Sequence, residues 1–172
     1  MKKILSILMI IILSISASGC SVLSGKGADS PEELVENYLA AVADEDYEAI
    51  WDMLPKQIQN YALKNRMIIN KEQGLNYIAY AVNDYYWLRQ MNLPYRDDYK
   101  LDIEEINELD IDEGKEYLDS VGLNILITEA VSVYFTVEVD DYYEYDADIY
   151  AIKSGGKWYL LSVAGDDEVF VY

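Results

Sequence analysis

The sequence contains no histidine, one cysteine and three prolines among its 172 residues. Without histidine, the chain lacks the commonest general base and the commonest zinc ligand in proteins. Because Cys20 is the single cysteine, no intramolecular disulfide can form. The folded part must therefore be stabilised by its hydrophobic core alone.

Basic residues are also scarce. The chain has 13 lysines and arginines against 32 aspartates and glutamates, which gives a formal charge of -19. A body this negative repels nucleic acid and anionic membrane surfaces, so we expect no nucleic-acid partner. The hydrophobic fraction of 52% is sufficient for the core of one domain of ordinary size.

The N-terminal segment has the layout of an export signal. Lys2 and Lys3 give it a positive start, and an apolar run follows from Ile4 to Ile15. That run is shorter than the roughly 20 residues needed to span a bilayer. The small residues Ala17-Ser18-Gly19 then lead up to Cys20, as in a signal that is removed from the mature protein.

The four residues Ala17-Ser18-Gly19-Cys20 resemble the lipobox of bacterial lipoproteins. The resemblance implies that a signal peptide, residues 1–19, is cut off and that Cys20 is acylated. The protein would then be held by lipid at the extracytoplasmic face of the cell membrane. The alternative is an ordinary signal peptide with a chance cysteine. Residues 20–29 are small and polar and predict a flexible tether, and residues 30–172 are expected to form one domain.

Helix signals dominate the first half of that domain. The stretch Ser30-Pro31-Glu32-Glu33 predicts a helix start with a capping box. Asp46 predicts a second start, a third helix is expected over 56–66, and Asn70 predicts the start of a longer one. Trp51 completes an apolar stripe at helical spacing and is expected in the core.

Alternating apolar residues in the second half predict strands over 99–103, 131–139, 147–151 and 158–163. A short helix is expected over 110–121, and Gly155-Gly156 predicts a tight turn. Trp158, which follows that turn, is expected in the core. Helices first and strands afterwards predict an α+β domain, with the helices packed on one face of an antiparallel sheet.

The stretch from Ser30 to Leu39, with Asp46-Tyr47 and Trp51, resembles the opening of NTF2-like lipoproteins of unknown function, and residues 152–160 are similar to their last hairpin. The resemblance implies a curved sheet wrapped on helices, which forms a cone with a cavity. Enzymes with this fold include ketosteroid isomerases and dehydratases. None of their catalytic motifs matches this sequence, and fold alone does not indicate an enzyme.

One candidate ligand site is an aromatic group that the sequence places on the long helix: Tyr77, Tyr80, Tyr85, Tyr86 and Trp87. Flat rings of this kind stack on sugars or hold apolar ligands. The alternative is that these side chains pack in the core and on the surface of the helix.

A second candidate is a run of acids: Asp140, Asp141, Glu144, Asp146 and Asp148. Clusters rich in oxygen bind calcium, but the spacing does not match an EF-hand loop. Along a hairpin, neighbouring acids are expected to point to opposite faces of the sheet. We therefore expect a solvated acidic surface, with no metal site and no cofactor.

Together these features predict a lipid-anchored binding or interaction module of the bacterial cell envelope. Besides the membrane, its partner would be a small molecule, a glycan or a protein. One alternative is a small metal-independent cavity enzyme of the isomerase or hydrolase type. Another is an accessory or structural subunit that forms a homodimer through its sheet face.

Overall fold

The computed structural model describes residues 26–64, 69–84, 90–95, 99–120, 123–140 and 143–161. The helices are α1 (Pro31–Ala43), α2 (Tyr47–Asp52), α3 (Lys56–Lys64), α4 (Lys71–Asp84) and α5 (Ile111–Ser120), with a 3₁₀ turn at Leu93–Tyr95. The strands are β1 (Tyr99–Glu108), β2 (Glu129–Val139), β3 (Tyr143–Ser154) and β4 (Lys157–Leu160). The predicted export signal, Cys20 and residues 162–172 lie outside the described residues.

Polar side chains cap three of the helices where the sequence predicts helix starts. The Ser30 hydroxyl accepts a hydrogen bond from the Glu33 N–H, at 3.1 Å, and Asp46 and Asn70 accept equivalent bonds at the starts of α2 and α4. The Glu33 carboxylate reaches back to the N–H of Asp29, one residue before the cap. These bonds satisfy amide groups that a helix leaves unpaired, which fixes where each helix begins.

The strands form one antiparallel sheet in the order β1-β2-β3-β4. Gly155 and Gly156, with φ of 59° and 82°, make the tight turn between β3 and β4, because two consecutive positive φ angles suit glycine. A register shift between Ile103 and Glu105 interrupts the pairing of β1 with β2. The predicted antiparallel sheet is confirmed.

The core lies between this sheet and the helices. Every second residue of β2 points inward, and four of them, Val133, Phe135, Val137 and Val139, are fully buried. The apolar face of α1 packs over β2 and β4. Trp51 and Trp158 are 2% and 5% exposed, so the prediction that both lie in the core is confirmed. The α+β architecture is confirmed with them.

A close approach between helices fixes the position of Trp51. A Cβ atom added at Gly74 on α4 would lie 2.7 Å from Cζ3 of the Trp51 ring, so no larger residue fits there without movement. The buried side chain of Gln59 donates hydrogen bonds to the carbonyls of Trp51 and Leu54, each at 2.9 Å. These contacts hold α2, α3 and α4 together in one layer.

The folded body begins before α1. The Lys26 N–H donates to the Asp52 carbonyl at 2.8 Å, and Ala28 exchanges two backbone hydrogen bonds of 2.9 Å with Trp158. Residues 26–29, which the sequence assigns to the tether, are thus joined to the domain along the edge of β4. Within the described ranges, no helix is both long and apolar enough to cross a membrane.

Candidate functional site

A groove of about 490 Å³ opens between the first turns of α1 and the inner face of β1. Its lining residues are Glu32, Glu36, Tyr99, Leu101 and Ile103. Sites for small molecules are typically about 300–1,000 Å³, so the groove has the size of a ligand site.

In the described sheet β1 is an edge strand, and the helices cover its neighbour β2 better than they cover β1. Tyr99, Leu101 and Ile103 are alternate residues of β1 that point inward, and each is half-buried. Their register partners on β2 are fully buried: Val139, Val137 and Phe135. Since α1 packs over β2 and β4, the inner face of β1 is left partly open and forms an apolar floor.

The opposite wall of the groove is acidic. Glu32 and Glu36 lie one turn apart on α1, so their side chains share a face of the helix. Both are exposed, and among the described residues neither takes part in an ion pair. The sequence of α1 contains no lysine or arginine, so the helix offers these carboxylates no internal partner.

The negative charge of this wall acts on Tyr99 in the floor of the groove. Burial raises the pKa of the Tyr99 phenol above its usual value, and the carboxylates of Asp44 and Glu36 raise it further because they disfavour the phenolate. Tyr99 is therefore a neutral phenol at physiological pH, with a hydroxyl that can donate a hydrogen bond. Among the described residues, the groove combines an apolar floor, the Tyr99 phenol and the carboxylates of Glu32 and Glu36.

The predicted aromatic site is described only in part. Tyr77 and Tyr80 lie on α4 and are 40% and 66% exposed, and neither lines the groove. Tyr85, Tyr86 and Trp87 lie outside the described residues. The two described tyrosines are therefore surface residues of α4, at a different place from the groove.

Three acids of the run lie on one face of the sheet and do not alternate between its two faces. Glu144, Asp146 and Asp148 pair across to Glu138, Thr136 and Tyr134, so all three lie on the outer face of the sheet. The expectation that these acids point to opposite faces is wrong, because they are spaced two residues apart and side chains of a strand repeat with that period.

Of the remaining two acids of the run, only Asp140 is among the described residues, and it directly follows β2. Asp140 is exposed and has a φ of 56°, which aspartate tolerates better than most residues. Asp141 lies outside the described residues. In the part of the chain that the structure describes, no three carboxylates or thiols lie close enough together to hold a metal ion.

The centre of the outer face is crowded with oxygen atoms. The Thr136 hydroxyl oxygen lies 2.7 Å from Glu104 Oε1 and 2.9 Å from Asp146 Oδ1, although it has a single proton to donate. Desolvation, followed by the charges of Asp146 and Glu104, raises the pKa of Tyr134 beside them. The outer face is thus a strongly negative surface, separate from the groove.

The sequence pattern alone does not identify the groove. It predicts Glu32 at the start of a helix and Tyr99, Leu101 and Ile103 in a strand, and both predictions are confirmed. The signal that the sequence does contain is the pair Glu32 and Glu36 on a helix without basic residues. This pair lines a groove because the fold places β1 beside α1.

Comparison of the chain with protein-family models, with curated proteins and with solved structures finds no match. The function must therefore be inferred from the geometry and chemistry of the groove, together with the sequence features at the N-terminus.

Proposed function

We propose that this protein is a lipid-anchored binding module on the extracytoplasmic face of the cell membrane, with an NTF2-like cone as its fold. The observation that carries the proposal is the groove between α1 and β1, which has the volume of a small-molecule site and an apolar floor formed by Tyr99, Leu101 and Ile103. Concave, mainly apolar sites with a few polar groups are typical of ligand-binding domains.

The order of elements supports the NTF2-like interpretation. Helices α1 to α4 precede the sheet, and α1 packs on the inner face of the strands. In a cone of this kind the cavity opens between the helices and the sheet, which is where the groove lies. The Gly155-Gly156 hairpin matches the last hairpin on which the resemblance rests.

The proposed anchor would place the domain close to the membrane. Lys26 is hydrogen-bonded to the body of the domain and lies six positions after Cys20. Even fully extended, that length of chain spans about 20 Å. An acylated Cys20 would therefore hold the edge of β4 near the lipid surface, while the charge of the domain opposes flat adsorption to anionic lipids.

Binding is favoured over catalysis because of where the acids lie. Enzymes commonly desolvate a carboxylate or another base to adjust it for proton transfer. Glu32 and Glu36 are both exposed, so the groove does not provide that environment. The neutral hydroxyl of Tyr99 can instead hold a ligand by donating a hydrogen bond to it.

The outer face of the sheet argues against a homodimer formed there. Its central acids, Glu104, Asp146 and Asp148, would meet the same acids of a second copy. Like charges brought face to face repel and must also be desolvated. We therefore favour a ligand-binding role for this domain over a role as a self-associating structural subunit.

The anchor is tested by expressing the full chain in a bacterial host and measuring the intact mass of the mature protein. We expect a chain that starts at Cys20, carries added acyl mass and partitions into the membrane fraction. Cys20→Ala should abolish the acylation and leave the protein either unprocessed or released, whereas the neighbouring control Ser21→Ala should behave as wild type. A mature chain with an unmodified Cys20 terminus would refute the anchor.

A further inference from the structure

The groove also indicates the chemical class of its ligand. We propose that it binds a small organic cation, a molecule with an apolar or aromatic body and one ammonium or guanidinium group. This inference rests on the proposed ligand-binding function and goes beyond it, because it specifies the charge and shape of the ligand.

The floor of the groove recognises the body of such a molecule. Tyr99, Leu101 and Ile103 form a continuous inward row on β1, and each is only half-covered by the rest of the domain. A flat ring or a short alkyl chain lying on this row would remove apolar surface from water on both partners, which favours association. The Tyr99 ring also offers a face to which an organic cation is attracted.

The wall of the groove recognises the charge. Glu32 and Glu36 face the same space one turn apart, and like charges at this spacing repel each other on a helix. A cation between them relieves that repulsion, and no basic residue of α1 already does so. An anion would be repelled by both carboxylates, and a neutral ligand would leave their repulsion in place.

The negative field extends beyond these two side chains. Asp44 lies at the C-terminal end of α1 and, with Glu36, acts on the Tyr99 phenol. These carboxylates make the surroundings of the Tyr99 hydroxyl negative, which favours a cation beside the phenol.

Three probes with the same carbon skeleton separate the role of the charge from that of the body: 4-phenylbutylammonium, 4-phenylbutanol and 4-phenylbutanoate. Each is titrated into the full chain with labelled methyl groups, and the methyl NMR signals of Leu101 and Ile103 are followed. We expect saturable shifts with the ammonium, weaker binding of the alcohol, and the weakest binding of the carboxylate.

Glu32→Gln and Glu36→Gln should each weaken binding of the ammonium by about two- to fivefold, the range expected for one exposed charge contact. Neither should change the affinity for the alcohol. The control is Glu72→Gln, because Glu72 is also the second residue of its helix, α4, and is exposed, but does not line the groove. We expect wild-type affinity in this control.

Two other results would overturn the inference in different ways. If the alcohol or the carboxylate binds as tightly as the ammonium, and Glu32→Gln has no effect, the groove is a ligand site that does not select cations. The proposed binding function would then survive and the ligand class would be wrong. If no probe shifts the methyl signals of Leu101 or Ile103, the groove is not a ligand site and both proposals are refuted.

Discussion

Substituting Gly74 by alanine sets two opposing effects against each other. Within a helix, alanine is more favourable than glycine by about 1 kcal/mol, so an unobstructed site would be stabilised. At this site the added Cβ would lie 2.7 Å from Cζ3 and 3.0 Å from Cη2 of Trp51. Carbon atoms in contact normally lie about 3.5–4.0 Å apart, so the ring or the helix must move by nearly 1 Å.

The surroundings decide which effect is larger. Trp51 is 2% exposed, so its ring cannot swing into solvent to make room. Overpacking a filled core typically costs about 1–3 kcal/mol. After the gain in helix propensity, we expect Gly74→Ala to lower the free energy of unfolding by up to about 2 kcal/mol. In a domain of this size that corresponds to about 2–4 °C in melting temperature for each kcal/mol.

The assay is urea and thermal unfolding followed by circular dichroism. Asn76→Ala is the control, because Asn76 is exposed on the same helix and should show the gain in propensity without the clash. In a Trp51→Phe background, whose smaller ring leaves space, Gly74→Ala should become neutral or stabilising. If Gly74→Ala alone melts above the wild-type temperature, as the exposed control does, the packing of α4 against Trp51 is wrong.

Three further outcomes follow from the described contacts. Trp158→Ala should cost about 3–5 kcal/mol, because Trp158 is 5% exposed; a melting temperature equal to that of wild type would contradict its burial. The pKa values of Tyr99 and Tyr159 are raised by burial, so the unfolded chain loses these protons first, near pH 10. The free energy of unfolding should therefore fall as pH rises through that value, and a urea midpoint that is the same at pH 8 and pH 11 would contradict this. Millimolar calcium should raise the melting temperature no more than sodium chloride of matched ionic strength. A calcium-specific rise that disappears in Asp146→Asn would contradict this expectation.

The parts of the fold that could be predicted are those set by local chemistry. Ser30, Asp46 and Asn70 each cap a helix by accepting a hydrogen bond from the amide three residues further on, so the sequence around them contains the whole signal. The alternation along β2 and the paired glycines of the last hairpin are local in the same sense. These features predict the α+β architecture without any long-range information.

The features that escaped prediction depend on residues far apart in the chain. The contact of Gly74 with Trp51 and the pairing of Ala28 with Trp158 follow from packing, which no window of sequence reveals. The groove is of the same kind, because it requires α1 to cover β2 while leaving β1 partly open. For this reason the sequence predicts the aromatic group and the acidic run as candidate sites, whereas the structure contains a groove elsewhere.

Native mass spectrometry of the full chain, extracted from membranes of cells that express it, tests directly whether an anchored domain holds a ligand in this groove. We expect an acylated Cys20 terminus together with a non-covalent small-molecule adduct. Leu101→Trp, which fills the floor of the groove, should lose the adduct, whereas Asp102→Trp, on the opposite face of β1, should keep it. A wild-type chain without an adduct, or an adduct retained in Leu101→Trp, would contradict ligand binding in the groove.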